Sequence, residues 1–377
     1  MAGDPQPLCS LPITIFNNLH KNFKNIDKIV FGRGSFDMLG GILDGRRNEN
    51  DGFFLFVVDH YFKDKPLAGR LPARPGDIVR FIDVDPEEPT TAQVDALRDE
   101  VLSTRGLPAG MVGIGGGSIM DIAKATSLMF TNEGSSVQYQ GLDLIKKPGI
   151  YHLGVPTISG TGAEVAMTAV LTGPEKKLGL KCEFTPFNQV ILDPELISTV
   201  PRERWFYTGM DTYIHCIESE TGFLNNAFSH AYGDQALKLC REIYLGEHSG
   251  QTPENDDKLM VASMMGTLSL TYSEVGICHA LSYGLAMVFH EKHCYANCLA
   301  FQHLEDYYPE GVREFRQMLK RNNIVLPTGL SRNWTDEQIT AMAHVAYNLS
   351  HMWNHAIGPD WKEKITIETI KALFKRL

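Results

Sequence analysis

The order of hydrophobic patterns constrains this chain's fold more than any other feature. From about residue 29 to 200, short β-rich apolar runs alternate with stretches of helical periodicity. Phe53-Phe54-Leu55-Phe56-Val57-Val58 reads as a strand buried on both faces, with Asp59 at its carboxyl end, because an unbroken apolar run of that length leaves no face for water. Residues 77–82 read as a second strand, 91–103 as a helix, 110–114 as a third strand, 119–130 as a helix, and 154–157 as the close of another strand. Strands joined through helices fit a parallel sheet covered by helices. Beyond Pro201 the texture changes. Residues 227–244, 256–272 and 336–351 show helical periodicity, strand-like runs almost vanish, and the polar stretch 246–257 reads as an exposed loop between helices. The expected architecture is an α/β nucleotide-binding domain over residues 1–200, followed by an all-α domain over 201–377. The 377 residues exceed the roughly 250–300 at which one core stops growing, and 43% apolar content suffices for two cores.

Composition narrows the partners. The net charge of −10 argues against nucleic acid or an anionic membrane as the main partner. The seven cysteines, Cys9, Cys182, Cys216, Cys240, Cys278, Cys294 and Cys298, are odd in number and scattered, which fits reduced thiols inside a cell rather than a disulfide framework. No run reaches the roughly 18 apolar residues of a membrane span. Met1 to Pro12 lacks the basic region and apolar core of a signal peptide, so a cytoplasmic location is expected.

Two segments place metal-binding side chains at useful spacings. In Gly209-Met210-Asp211-Thr212-Tyr213-Ile214-His215 a carboxylate and an imidazole stand four apart, on one face of a helix. His279 and His293 would lie about 21 Å apart on an unbroken helix at about 1.5 Å per residue, whereas metal–ligand bonds span about 2.0–2.2 Å. If both bind one ion the chain must turn back between them, and Gly284 or the polar run His290-Glu291-Lys292-His293 offers the place. One carboxylate and three imidazoles suit Fe2+ or Zn2+ rather than Mg2+ or Ca2+. Thirteen histidines make some i, i+4 pairing expected by chance. His351 and His355 form another such pair, for which helix packing or shaping of a pocket is the ordinary alternative. Cys278 and Cys294 adjoin two of the candidates and either compete for metal or pack beside it.

A nucleotide site is suggested by Gly113-Ile114-Gly115-Gly116-Gly117-Ser118-Ile119-Met120-Asp121, which joins a strand to a helix. Glycines let backbone amides approach an anion, the helix N-terminus adds partial positive charge, and Ser118 can cap or donate. A turn that merely packs strand on helix is the alternative. The usual dinucleotide fingerprint would follow the first strand and end in glycine, so this is not an ordinary Rossmann turn. Asp59 could accept from an adenosine ribose and repel a 2′-phosphate, favouring NAD over NADP, or could simply cap a helix. Pro156-Thr157-Ile158-Ser159-Gly160-Thr161-Gly162-Ala163-Glu164 is a second hydroxyl-rich turn after a strand, and two such turns can converge at one carboxyl edge of a parallel sheet.

At these residues the chain resembles the iron-containing, or group III, metal-dependent alcohol dehydrogenases. The likeness runs from Ile29-Val30-Phe31-Gly32-Arg33-Gly34 through Gly115–Ser118 with Asp121 and Lys124, Pro156–Glu164, Ile191-Leu192-Asp193-Pro194, the Asp211/His215 segment and the two later histidines. The resemblance implies a dehydroquinate synthase-like architecture with the metal between the two domains. It puts Asp211, His215, His279 and His293 at the metal, Gly116, Gly117 and Ser118 at the cofactor pyrophosphate, and Asp59 at the ribose. It also puts Asp121, Thr157, Thr161, Thr168 and Lys177 at cofactor-contacting positions, and it implies a homodimer. Many members carry a histidine four residues after the third ligand, where this chain has Tyr283. A phenol can relay a proton, but with an unperturbed pKa near 10 it is a poorer base at neutral pH than imidazole, so Tyr283 is a candidate relay and the proton path cannot be copied from the family. Within the family the likeness points to oxidation of the C8 hydroxyl of an acidic lipopolysaccharide sugar, 3-deoxy-D-manno-octulosonate (Kdo), to an aldehyde that an aminotransferase would consume. Lys181 and Arg33 are candidate cations for the sugar carboxylate. Alternatives are a simple alcohol or diol dehydrogenase, a dehydroquinate-synthase-like lyase using NAD and metal, and a non-catalytic protein that binds both.

Overall fold

The computed structural model describes residues 23–50, 52–84 and 88–377; Cys9 and the Met1–Pro12 stretch lie outside them. Nine strands occur among these residues: β1 (Lys28–Phe31), β2 (Phe54–Asp59), β3 (Ile78–Ile82), β4 (Gly110–Gly115), β5 (Gly141–Leu142), β6 (Tyr151–Pro156), β7 (Thr168–Thr172), β8 (Lys177–Lys181) and β9 (Gln189–Leu192). Helices α1 (Leu39–Asn50), α2 (Thr91–Arg105) and α3 (Gly117–Met129) are interleaved with them. Six strands form one parallel sheet in the order β1-β9-β6-β4-β2-β3. In β2 the side chains alternate between two cores: Leu55 and Val57 join the cluster on one face, Phe54, Phe56 and Val58 that on the other, as a period of two requires. Each such fully buried side chain contributes about 1.5–3 kcal/mol.

The turn after β1 is knitted to the end of β9 by Asp193. Its buried carboxylate accepts from the backbone amides of Gly34 (3.1 Å), Phe36 (3.0 Å) and Glu195 (3.0 Å). The Phe31–Gly34 and Ile191–Pro194 segments therefore serve the fold.

From Arg202 onward the described residues are helical or irregular: α4 (Arg202–Thr221), α5 (Ala227–Leu245), α6 (Pro253–Tyr272), α7 (Ile277–Phe289), α8 (His293–Phe301), α9 (Pro309–Arg321), α10 (Asp336–Tyr347), α11 (Ser350–Ile357), α12 (Trp361–Lys364) and α13 (Ile367–Phe374). They enclose a separate core that includes Trp205, Phe301, Phe315 and Trp353.

Three features depart from the sequence expectation. Residues 336–351 are not one helix, because Leu349 leaves helical geometry and the Trp353 indole takes the Ala346 carbonyl at 2.7 Å. The loop expected at 246–257 ends earlier. Thr252 caps the Asn255 amide and Pro253 occupies the first turn of α6, where its missing N–H costs nothing. A small second sheet, β5-β8-β7, was not legible, since its strands are short, half-polar and only partly buried.

The two halves meet at the turn after β6. Gly160 (φ 151°) and Gly162 (φ 58°) approach so closely that a Cβ on the first would collide with the Thr208 carbonyl and on the second with the Thr267 side chain. The Gly160 amide donates to Ser263 Oγ at 2.8 Å, and Thr212 Oγ1 donates to the Gly160 carbonyl at 2.9 Å. This turn is fastened directly to α4 and α6.

Candidate metal and cofactor centre

Asp211 and His215 stand one turn apart on α4, and Glu218 continues the same stripe at i+7. His279 lies in the first turns of α7 and His293 opens α8. The chain reverses between them at His290, whose φ of 57° ends α7 in left-handed geometry. Gly284, the other expected breaking point, stays helical, with no room for a Cβ against Phe374 and the Met342 carbonyl. One ligand atom from each of Asp211, His215, His279 and His293 lies within 4.8 Å of the other three. Asp211 Oδ1 is 3.8 Å from His215 Nε2 and 3.6 Å from His279 Nε2, while Oδ2 is 3.7 Å from His293 Nε2.

Two neighbours complete the cluster. Glu218, fully buried, accepts from His279 Nδ1 (2.5 Å), the Cys278 amide (2.6 Å) and the Tyr308 hydroxyl (3.3 Å). With Nδ1–H given to this carboxylate, it is Nε2 of His279 that faces the other ligand atoms, and loss of the Nε2 proton frees its lone pair for an ion. Asn297, four residues after His293 on α8, directs Nδ2 at Asp211 Oδ1 (2.6 Å), His279 Nε2 (3.1 Å) and His293 Nε2 (3.3 Å). Neither was picked out from sequence, although the i+7 and i+4 spacings put both on the ligand stripes.

The electrostatics suit a cation. Burial opposes ionisation of Asp211, but the imidazoles beside it outweigh burial and hold its carboxyl well below the usual range. Burial pushes His215 down to about 4 against the pull of Asp211, and it also lowers His293. Burial works against a charge on His279 as well, yet Glu218 and Asp211 raise it to about 9. The buried Nδ1 of His215 has no hydrogen-bond partner. A buried carboxylate facing three imidazole nitrogens is the donor set of a divalent transition ion, and the residues fit one.

The cluster forms the floor of a cavity of about 2070 Å3 that runs across the carboxyl edge of the parallel sheet. His215, His279, His293 and Tyr283 line it, with Asp211 beneath them. Of the ten cofactor candidates, all but Gly115 line the same cavity; Gly115 instead packs against Ile119, where a Cβ would collide. Gly116 is the N-cap of α3 with no side chain in the capping position, so the first-turn amides stay available to an anion. A Cβ on Gly117 would press on Thr161 Oγ1 at 3.0 Å. Asp59 caps the short turn after β2, accepting from the Tyr61 amide at 3.0 Å, and its carboxyl still faces the cavity. Asp121 pairs with buried Lys124 (2.9 Å) and accepts from the Val170 amide. Lys124 also donates to the carbonyls of Ala163 and Thr168, tying α3 to the segment that follows the second turn. Lys177 pairs with Glu88 and lies 4.9 Å over the Tyr283 ring. These features fit a dinucleotide whose phosphates sit on α3.

Other sequence candidates fall elsewhere. Leu224 N donates to His355 Nδ1 (3.2 Å) and His355 Nε2 donates to the Glu218 carbonyl (2.8 Å), so His355 secures the end of α4 and is no partner for His351 in a metal pair. Arg33 pairs with Asp257 (2.9 Å) and does not line the cavity. Lys181 does, held by Glu274 at 3.4 Å. Cys278 packs with its thiol on the Asn297 carbonyl (3.3 Å), while Cys294 donates to Asp211 Oδ2 (3.4 Å) at the cavity wall.

A set of metal-ligating side chains beneath a nucleotide-sized cleft, between an α/β and a helical half, fits the class of metal-dependent, nucleotide-binding enzymes. Residues 27–194 match the model of the iron-containing alcohol dehydrogenase family, and residues 205–350 match that of its C-terminal region. The chain belongs to the iron-containing alcohol dehydrogenase family. It is 32% identical over 189 residues to sulfoacetaldehyde reductase of Bilophila wadsworthia, a match covering 48% of each chain. It is 28% identical over 301 residues to a 1-propanol dehydrogenase of Citrobacter freundii, covering 75% of this chain and 72% of that one. The chain spans about half the length of the first curated relatives it matches. The structure of sulfoacetaldehyde reductase from Bifidobacterium kashiwanohense in complex with NAD+ superposes with a TM-score of 0.79 over 94% of this chain and 98% of that one, at 20% identity. No helix among the described residues is long and apolar enough to cross a membrane.

Proposed function

We propose that this protein oxidises a primary alcohol to an aldehyde, with Asp211, His215, His279 and His293 holding Fe2+ or Zn2+ and the Gly116–Ser118 turn holding NAD. The observation that carries this reading is the convergence of those four side chains within 4.8 Å at the floor of the cavity that the glycine turn also lines. Bound there, the ion supplies Lewis acidity toward an alcohol oxygen and the nicotinamide supplies the hydride acceptor. The chain's own residues do the rest. Glu218 orients His279, Lys124 and Asp121 fix the second turn against α3, and Asp59 offers an acceptor to the adenosine ribose that favours NAD over NADP. Tyr283 lies beside His293, with ring centroids 6.2 Å apart. Burial raises its phenol further above the ordinary value, so Tyr283 is a proton relay that stays protonated at neutral pH and not a free base. The substrate we propose is the C8 hydroxyl of Kdo, with an aminotransferase consuming the aldehyde. Lys181 on the cavity wall supports a cation for its carboxylate, and the same cavity also accommodates simple alcohols or diols. The test measures metal content and NADH formation for wild type and His279→Ala with Kdo, alcohols and diols. The variant is expected to lose both while keeping its helical circular dichroism. Full activity without metal rejects the metal role. Metal and NAD binding with no product from any substrate would favour a non-catalytic protein, and turnover with no net NADH would favour a lyase.

A further inference from the structure

The adenosine end of the cavity carries a carboxylate that neither motif nor family resemblance picked out. In the parallel register of β2 and β3, Asp59 stands opposite Ile82, so Asp83 leaves the sheet one residue beyond, at the same carboxyl edge. Asp83 lines the same cavity as Asp59, and so does Arg204, from the first turn of α4. Both neighbours are felt at Asp59: burial raises its carboxyl, the Tyr61 amide and then Arg204 lower it, Asp83 raises it, and His60 lowers it slightly. A 2′-phosphate added to the adenosine ribose at Asp59 would enter a space with two carboxylates and one guanidinium.

We propose that Asp83 is a second specificity-determining residue for the cofactor, acting with Asp59 to reject the 2′-phosphate that Arg204 would otherwise attract. This rests on the reading of Asp59 as the ribose partner. Asp83 is exposed at the cavity, so its influence on a bound phosphate is electrostatic and screened, and Asp83→Asn removes one charge with almost no change in volume.

The test is isothermal titration of the full chain with 5′-ADP and with 2′,5′-ADP, which needs neither turnover nor metal. For Asp83→Asn the affinity for 2′,5′-ADP is expected to rise about fivefold at low salt, with 5′-ADP binding within about twofold of wild type. The gain should shrink as the Debye length falls to about 3 Å at 1 M salt. Adding Asp59→Asn should enlarge it, and Arg204→Ala in that double variant should reverse it. An unchanged ratio of the two affinities, or an equal loss of both, overturns the role of Asp83 while leaving the nucleotide site standing. If wild type binds neither nucleotide, the nucleotide reading fails and takes this one with it.

Discussion

Glu218→Gln is the sharpest perturbation of the candidate metal centre, because it changes one charge and almost no volume. The carboxylate accepts on both oxygens: His279 Nδ1–H on Oε2, and the Cys278 amide with the Tyr308 hydroxyl on Oε1. A glutamine has one acceptor and one donor face. If its carbonyl keeps the Cys278 amide and Tyr308, its NH2 faces His279 Nδ1 and forces the tautomer whose Nε2–H points at the metal position. If it turns over, a buried N–H confronts the backbone donor. Either way a charge-assisted bond worth about 1.5–3 kcal/mol is lost. Loss of such an outer partner weakens metal binding about 10–100-fold, or about 1.4–2.7 kcal/mol.

Proton release gives a second readout. In the metal-free protein the Glu218 and Asp211 charges raise His279 to about 9. Its protonated form is therefore favoured at pH 7.5, and metal uptake should release about one proton. The stabilisation that His279 draws from those carboxylates is fully present below its unfolded pKa near 6.5 and is lost as pH rises through about 9. Removing the Glu218 charge moves His279 downward, so proton release at pH 7.5 should fall well below that of wild type. Zinc titration of metal-free protein against a competing chromophoric chelator, in weakly buffered indicator solution, measures both quantities. Zinc affinity within twofold of wild type, with proton release unchanged, would refute the orienting role of Glu218.

Two further outcomes are expected. Glu164 is fully buried, its Oε1 has no hydrogen-bond partner, and burial pushes it up to about 7. The folded state then binds the proton more tightly than the unfolded chain, so stability falls as pH rises from about 4.5 to about 7. Glu164→Gln should raise stability by on the order of 1–3 kcal/mol above pH 7.5 and little at pH 4.5, and equal pH slopes in urea denaturation would contradict this. Tyr283→Phe should leave metal content unchanged and lower kcat about 100-fold at pH 7 if the phenol relays the proton; a kcat near wild type in steady-state NADH assays would remove Tyr283 from the path.

How much was legible in the chain depended on whether a residue's role is local or distant. The Phe53–Val58 run declared β2 because burial on both faces leaves a local hydrophobic signature, and Asp211 with His215 declared a shared face because helix geometry is local too. His279 and His293 required a reversal whose position the sequence left open. His290 made the turn instead of Gly284, since Gly284 is needed for the close approach of Phe374. Glu218 and Asn297 sat at helical spacing from known candidates but looked like any polar residue until α7 and α8 folded against α4. Lys181 and Arg33 were indistinguishable as isolated cations, and only the tertiary fold separated one on the cavity wall from one paired with Asp257.

The same distinction bears on how the halves cooperate. Hydride transfer needs the two carbons at about 3–3.5 Å, and a 1 Å misplacement costs about 10²-fold. If the proposed metal site on α4 and cofactor site on the α/β half are both filled, flexible surface side chains alone could not hold them to that tolerance. Here the link is made by a backbone turn held by two buried hydroxyls. The turn that carries Thr161 presses Gly160 and Gly162 onto α4 and α6, and hydrogen bonds from Thr212 and to Ser263 lock it there. Thr212 is the residue next to Asp211. The segment fastened to the glycine-threonine turn is therefore the segment that carries the candidate metal carboxylate, and any displacement of one must move the other.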